Sequence, residues 1–142
     1  MSEAQTAAEK PRPAVPFIAI PDEGAPYLVG SRCAHCGETF LGHRETCAAC
    51  GARSAMQEVK LSDRGTLYNY TIVHRNFPGV PVPFVSAIVD VEGGGTLKGN
   101  LEGVAPVPDA IKFDMPVKIV IKDAGRKDKD GNSYLAYFFQ PA

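Results

Sequence analysis

The sequence has no tryptophan, only three histidines and only four cysteines. No stretch approaches 18 apolar residues, so no helix is expected to cross a membrane. Neither sign of charge is in excess: 15 Lys and Arg stand against 16 Asp and Glu, giving a net charge of -1. That balance excludes a domain that lives on phosphate contacts, because such domains are strongly basic. The start, Met1 to Lys10, is polar and lacks the apolar stretch of a signal peptide. The chain therefore reads as soluble and intracellular, hence cytoplasmic. It has no Gly-x-Ser-x-Gly elbow, no phosphate-binding Gly-x-x-x-x-Gly-Lys-Ser/Thr and no Gly-x-Gly-x-x-Gly.

What is present is proline and glycine, 12 and 14 among 142 residues. They predict turns and short strands, not long helices. The length suits one domain, or one domain with a small satellite. Three stretches differ in composition. Residues 1–30 hold Pro11, Pro13, Pro16, Pro21 and Pro26 and cannot form a long helix. They are expected to begin as a disordered tail over about the first 13 residues and then run extended, with Phe17, Ile18 and Ile20 as contacts. Residues 31–58 carry all four cysteines. Residues 59–142 read as all-β.

The β reading rests on five segments. Thr66–Val73 is β-branched and aromatic. Phe84–Val91 follows, then the Gly93-Gly94-Gly95 turn and Thr96–Leu101. Val117–Lys122 alternates apolar and polar, as a half-buried strand does. Tyr134–Phe139 is the fifth. Lys122–Asn132, with its Asp130-Gly131-Asn132 turn, is expected to be a solvated hairpin tip. Five short strands fit an OB-fold barrel, with Glu102–Pro116 as the crossing segment between strands three and four. Pro106 and Pro108 limit that segment to a single helical turn. An immunoglobulin-like sandwich is the rival, but needs about seven strands.

The cysteines form Cys33-x-x-Cys36 and, after ten residues, Cys47-x-x-Cys50, each pair followed by glycine. Such a turn aims two thiolates at one cation, and the glycine lets the chain turn away with positive φ. Two such knuckles make a tetrahedral sulfur site suited to zinc. Four sulfur ligands leave no open position, so the zinc is structural and contributes folding energy. Iron in a rubredoxin-like site is the minor alternative, and a redox dithiol would not need the matched second pair. His35 and His43 are alternative ligands. Arg32 and Arg44 flank the knuckles.

No catalytic constellation emerges. His74 lies beyond the first barrel strand, and the carboxylates are scattered. Arg75–Phe84 is a long, proline-stiffened apolar loop, the kind an OB-fold uses for ligands. Arg75, Lys98 and Asn100 could meet a phosphate or carboxylate nearby.

These residues resemble one family in order. Arg32-Cys33-x-x-Cys36-Gly37, Cys47-x-x-Cys50-Gly51, Arg64–Val73, Pro83–Val89, Leu97–Leu101 and Met115-Pro116-Val117 run collinearly like the zinc-ribbon/OB-fold acyl-CoA-associated family. The resemblance covers about Ser31 to Pro141. It implies a mainly β chain, a rubredoxin-like ribbon followed by a five-stranded OB-fold barrel. It also implies a small subunit without catalytic residues of its own, paired in a hetero-oligomer with a thiolase-like or lipid-transfer-protein-like enzyme. The supported reaction would be thiolysis of a 3-oxoacyl-CoA, with retro-aldol cleavage of a hydroxyacyl-CoA as the alternative. The CoA thioester would be bound jointly with the partner. Matching positions on the presumed binding side are Tyr68, Tyr70, Arg75, Phe77, Lys98 and Asn100. Relatives usually carry a helical lead-in before the first cysteine, and here Pro21-Asp22-Glu23-Gly24-Ala25-Pro26 stands in its place.

Two rivals remain. A single-stranded nucleic-acid binder needs a basic groove with aromatic platforms, but Lys/Arg and Asp/Glu balance one for one over residues 65–142. A free-standing CoA carrier or enzyme would show acyl-CoA binding or turnover by the isolated chain.

Overall fold

A computed structural model describes residues 11–142. The expected disordered tail therefore lies largely outside the described residues. From Pro11 the chain runs extended. β1 (Arg12–Pro13) pairs in parallel with the last strand, and β2 (Ile18–Ala19) pairs with the first ribbon strand. Ile18 is buried, and Phe17 and Ile20 pack against the core beside it. The Pro21–Pro26 stretch holds no helix.

The ribbon sheet consists of β3 (Tyr27–Cys33), β4 (Thr39–Leu41) and β5 (Met56–Lys60). β3 is central, antiparallel to both neighbours. Its strands are short because the sulfur knuckles interrupt them.

Five further strands close a barrel: β6 (Arg64–Val73), β7 (Phe84–Val91), β8 (Thr96–Leu101), β9 (Pro116–Lys127) and β10 (Ser133–Pro141). The order runs β6-β7-β8-β10-β9 and returns to β6. Among these five strands only the β8–β10 contact, at Leu101 and Phe139, is parallel. Closure and that parallel pair exclude the two-sheet sandwich. The β8–β9 connection carries one short turn, a 3-10 helix at Pro108–Ala110, as the prolines predicted.

Alternation sets the inner face. On β7, Val85, Ala87, Val89 and Val91 are buried and the residues between them are not. Phe139, Leu67, Leu97, Val85, Val89 and Val117 are fully buried, so side chains fill the barrel interior. Gly99 on β8 makes room for two aromatic rings: a Cβ there would come within 2.8 Å of the Tyr137 ring and 3.1 Å of Phe139.

β9 and β10 run longer than their alternation predicted. β9 continues through Asp123 and Gly125 to Lys127, paired with β10, so most of the expected tip is strand. Pairing with β10 overrides the turn-like composition there. The true tip is Asp128–Asn132. One Asp128 carboxylate oxygen accepts the backbone N–H of Asp130 and Asn132, and the other accepts the Asn132 side-chain amide. Arg12 lies 3.6 Å from Asp128, tying the N-terminal strand to this tip.

Ribbon and barrel share one apolar cluster through Ile18, Leu28 and Leu61. The β7–β8 hairpin meets the ribbon closely, since a Cβ on Gly94, at φ +125°, would come within 2.7 Å of the Thr39 Cβ. Among the described residues, no helix is long and apolar enough to cross a membrane.

Candidate functional site

The four cysteine sulfurs converge, as their spacing predicted, all within 4.8 Å of one another. Cys33 and Cys50 are 3.8 Å apart, and Cys36 and Cys47 are 3.5 Å apart. A tetrahedral centre with metal–sulfur bonds of about 2.3 Å needs sulfur–sulfur edges of about 3.8 Å. The donor set therefore fits a single tetrahedral metal ion. His35 and His43 are exposed and stand outside the cluster.

The knuckles explain the convergence. In each, the backbone N–H of the following glycine reaches the first cysteine's carbonyl, Gly37 to Cys33 at 2.8 Å and Gly51 to Cys47 at 2.9 Å. Both glycines have φ near +80°, where only glycine is unstrained. Cys33 and Cys47, one per knuckle, are buried, while Cys36 and Cys50 are exposed. The N–H groups of Cys36 and His35 draw the Cys33 thiol below its ordinary 9.0 against the effect of burial. The Cys50 N–H leads in lowering Cys47 to about 7. Cys36 goes to about 12: the Glu38 N–H lowers it, but burial and the neighbouring thiols outweigh that.

Sequence reasoning missed Ser31. It is buried on β3, where its hydroxyl donates to the Gly42 carbonyl at 2.6 Å and accepts the Arg44 N–H at 3.1 Å. It pins the chain between β4 and the second knuckle. Arg44 also lies over the Phe40 ring at 4.9 Å.

Of the six expected contact residues, the structure brings only Tyr70 and Lys98 into one depression. Lys98 and Asn100 are exposed on the outer face of β8, opposite Ile88 and Ser86 of β7. Lys98 and Tyr70 line a depression of about 340 Å³ with Asn69, Thr71, Ser86 and Ile88. The hydroxyl of Tyr137, whose ionisation is held up by burial, donates to the Lys98 carbonyl. Tyr68 sits at a bulge in β6 and is 63% exposed. Arg75 and Phe77 project from the β6–β7 loop, outside the depression, and Phe77 is 81% exposed.

A larger cleft of about 950 Å³ separates ribbon from barrel. Sequence gave no signal for it, because its walls are far apart along the chain. It is lined by Arg32 and Lys60 together with Asp63 and Glu92, so its charges select neither an anion nor a cation.

Residues 58–122 match the family described as ChsH2, C-terminal OB-fold domain. A DUF35 domain-containing scaffold protein of Methanocaldococcus jannaschii is 32% identical over 117 residues, covering 80% of this chain and 81% of the relative. The benzoylsuccinyl-CoA thiolase subunit BbsA of Thauera aromatica is 28% identical over 125 residues, covering 87% and 83%. Among solved structures, a chain of the Ltp2-ChsH2(DUF35) aldolase superposes with a TM-score of 0.62 at 31% identity, covering 81% of this chain and 84% of that one. These likenesses place the chain in the DUF35 family, with a ChsH2-type OB-fold over residues 58–122.

Proposed function

We propose that this chain is a non-catalytic accessory subunit of a thiolase-superfamily acyl-CoA enzyme. One observation carries the reading: the likeness to a thiolase subunit and to a chain of an aldolase complex runs through ribbon and barrel alike. The chemistry of the chain agrees. Its cysteines are gathered in one cluster, and its barrel interior is filled by side chains. Substrate contact therefore belongs to the outer surface.

In this reading Cys33, Cys36, Cys47 and Cys50 hold a structural zinc ion. When bound, the metal supplies folding energy and leaves no open position for chemistry. The outer face with Tyr68, Tyr70, Arg75, Phe77, Lys98 and Asn100 meets the partner or the acyl-CoA. Arg75 and Lys98 suit the phosphates of CoA, and the aromatic rings suit apolar surface. Partner and chain together perform thiolysis of a 3-oxoacyl-CoA. The second reading is retro-aldol cleavage of a hydroxyacyl-CoA, favoured by the structural likeness to the Ltp2-ChsH2(DUF35) aldolase.

Affinity purification of the tagged chain from its native source, with mass spectrometry, tests the proposal. A stoichiometric thiolase-like or lipid-transfer-protein-like subunit is expected, with one zinc per chain by elemental analysis. Recovery of the chain alone, or with nucleic acid, would overturn it.

A further inference from the structure

The exposed apolar side chains are not spread over the molecule. Among the described residues the large ones are Tyr68, Phe77, Val82, Val107 and Phe113. They lie on three segments: the β6 bulge, the β6–β7 loop and the β8–β9 connector. None lies on the ribbon, the N-terminal segment or the β9–β10 hairpin.

Topology brings these segments together. Val73 pairs with Phe84 and Val85 with Leu101, so the β6–β7 loop and the start of the connector leave the same end of the barrel. The β7–β8 hairpin, which meets the ribbon, is at the other end. The connector then returns along β6: the Asp114 N–H reaches the Leu67 carbonyl, and the Phe113 ring lies 5.6 Å from that of Tyr70. One end of the barrel is covered by the ribbon, and the other carries an apolar rim that continues down the β6 flank.

The size of the rim indicates its occupant. The three aromatic residues are 63%, 81% and 63% exposed. At about 150–250 Å² per aromatic side chain, they leave roughly 400 Å² uncovered before the valines are added. The largest apolar patch on a monomer is typically about 300–600 Å² and is often functional. A standard interface between two different subunits takes about 800 Å² from each, a little over half of it apolar, or roughly 450 Å². The rim supplies that share. It falls short of the larger, more apolar surface of an obligate homodimer.

We infer that this rim, with Phe77 and Phe113 as its anchors, is the surface that docks the acyl-CoA enzyme subunit. The inference rests on the function proposed above. The occupant is a protein surface with apolar pockets for two aromatic rings. The ribbon, at the far end, stays outside the contact.

The test compares the tagged full chain with the double variant Phe77→Ser/Phe113→Ser and with Glu58→Lys on the ribbon as a control. Each is assayed for binding to the co-purifying enzyme subunit. Thermal melting and metal content confirm that all three are folded. The double variant is expected to bind at least tenfold more weakly, and the control to bind as the wild type does. Hydrogen exchange on the wild-type complex is expected to show new protection at residues 74–83 and 104–115 and none in the ribbon. Wild-type binding by a folded double variant, or protection confined to the ribbon, overturns the rim and leaves the subunit reading standing. If the wild-type chain recovers no enzyme subunit, the function reading falls and the rim with it. Self-association of the isolated chain that the double variant abolishes assigns the rim to a second copy and likewise overturns the inference.

Discussion

The ribbon and the barrel are built from similar short antiparallel strands, yet they cohere for different reasons. Between Tyr27 and Lys60 the buried side chains are Leu28, Ser31, Cys33 and Cys47. Two of these four are sulfur donors, so the ribbon has almost no apolar interior of its own. The barrel buries Leu67, Val85, Val89, Leu97, Leu101, Val117 and Phe139 among others. A small module without a core needs a metal, while a closed sheet of alternating residues does not. The two also differ in what they expose, since among the described residues the large exposed apolar side chains all belong to the barrel and its connections.

With zinc held as proposed, the widest separation between the two modules is expected on removing the metal. Chelation, or Cys47→Ser, should abolish slow hydrogen exchange across β3–β5 while the amides of β6–β10 stay protected. Loss of both together would show that the barrel also depends on the metal. The converse change is Phe139→Ala, which opens a cavity among fully buried side chains. A cost of about 3–5 kcal/mol is expected, roughly 10 °C in melting temperature. Metal stoichiometry should be unchanged in the folded fraction.

A smaller effect is expected where the modules touch. Gly94→Val places a Cβ against Thr39 and forces a positive φ on a branched residue. Overpacking of this kind costs about 1–3 kcal/mol. Tryptic cleavage between ribbon and barrel should rise while the cysteine centre keeps its metal. The smallest effect concerns Asp128. Hydrogen bonds from the Asn132 amide, then from backbone N–H groups, and the nearby Arg12 hold its carboxyl below the ordinary 3.8. A depressed carboxylate stabilises the fold above its unfolded value, and the stability is lost as pH falls through the folded value. Asp128→Asn should therefore loosen exchange at the β9–β10 tip and β1 at neutral pH, and the difference from wild type should vanish in acid below the ordinary carboxylate range.

The barrel was legible because its strands alternate. Val117 and Ile119 are buried and Lys118 is not, as the pattern Val117-Lys118-Ile119 required. The cysteine centre was legible because matched knuckles leave few other arrangements for four thiols. The far half of β9 was not legible, because Asp123, Gly125 and Lys127 become strand only through pairing with β10. The role of Ser31 depends on Gly42 and Arg44 folding back over it, and the cleft depends on Arg32 meeting a wall that includes Glu92. Such contacts leave no local pattern. The placement of the contact group was not legible, because only the topology shows Phe77 at the free end and Lys98 on the outer wall of β8.

Turnover tests the central claim most directly. Cleavage of acyl-CoA would be measured for this chain alone, for its co-purifying enzyme subunit alone, and for the two recombined. The account predicts no turnover by this chain, little by the enzyme subunit, and full activity on recombination. Turnover by the isolated chain, or an enzyme subunit fully active without it, would contradict the claim that this protein contributes surface and not chemistry.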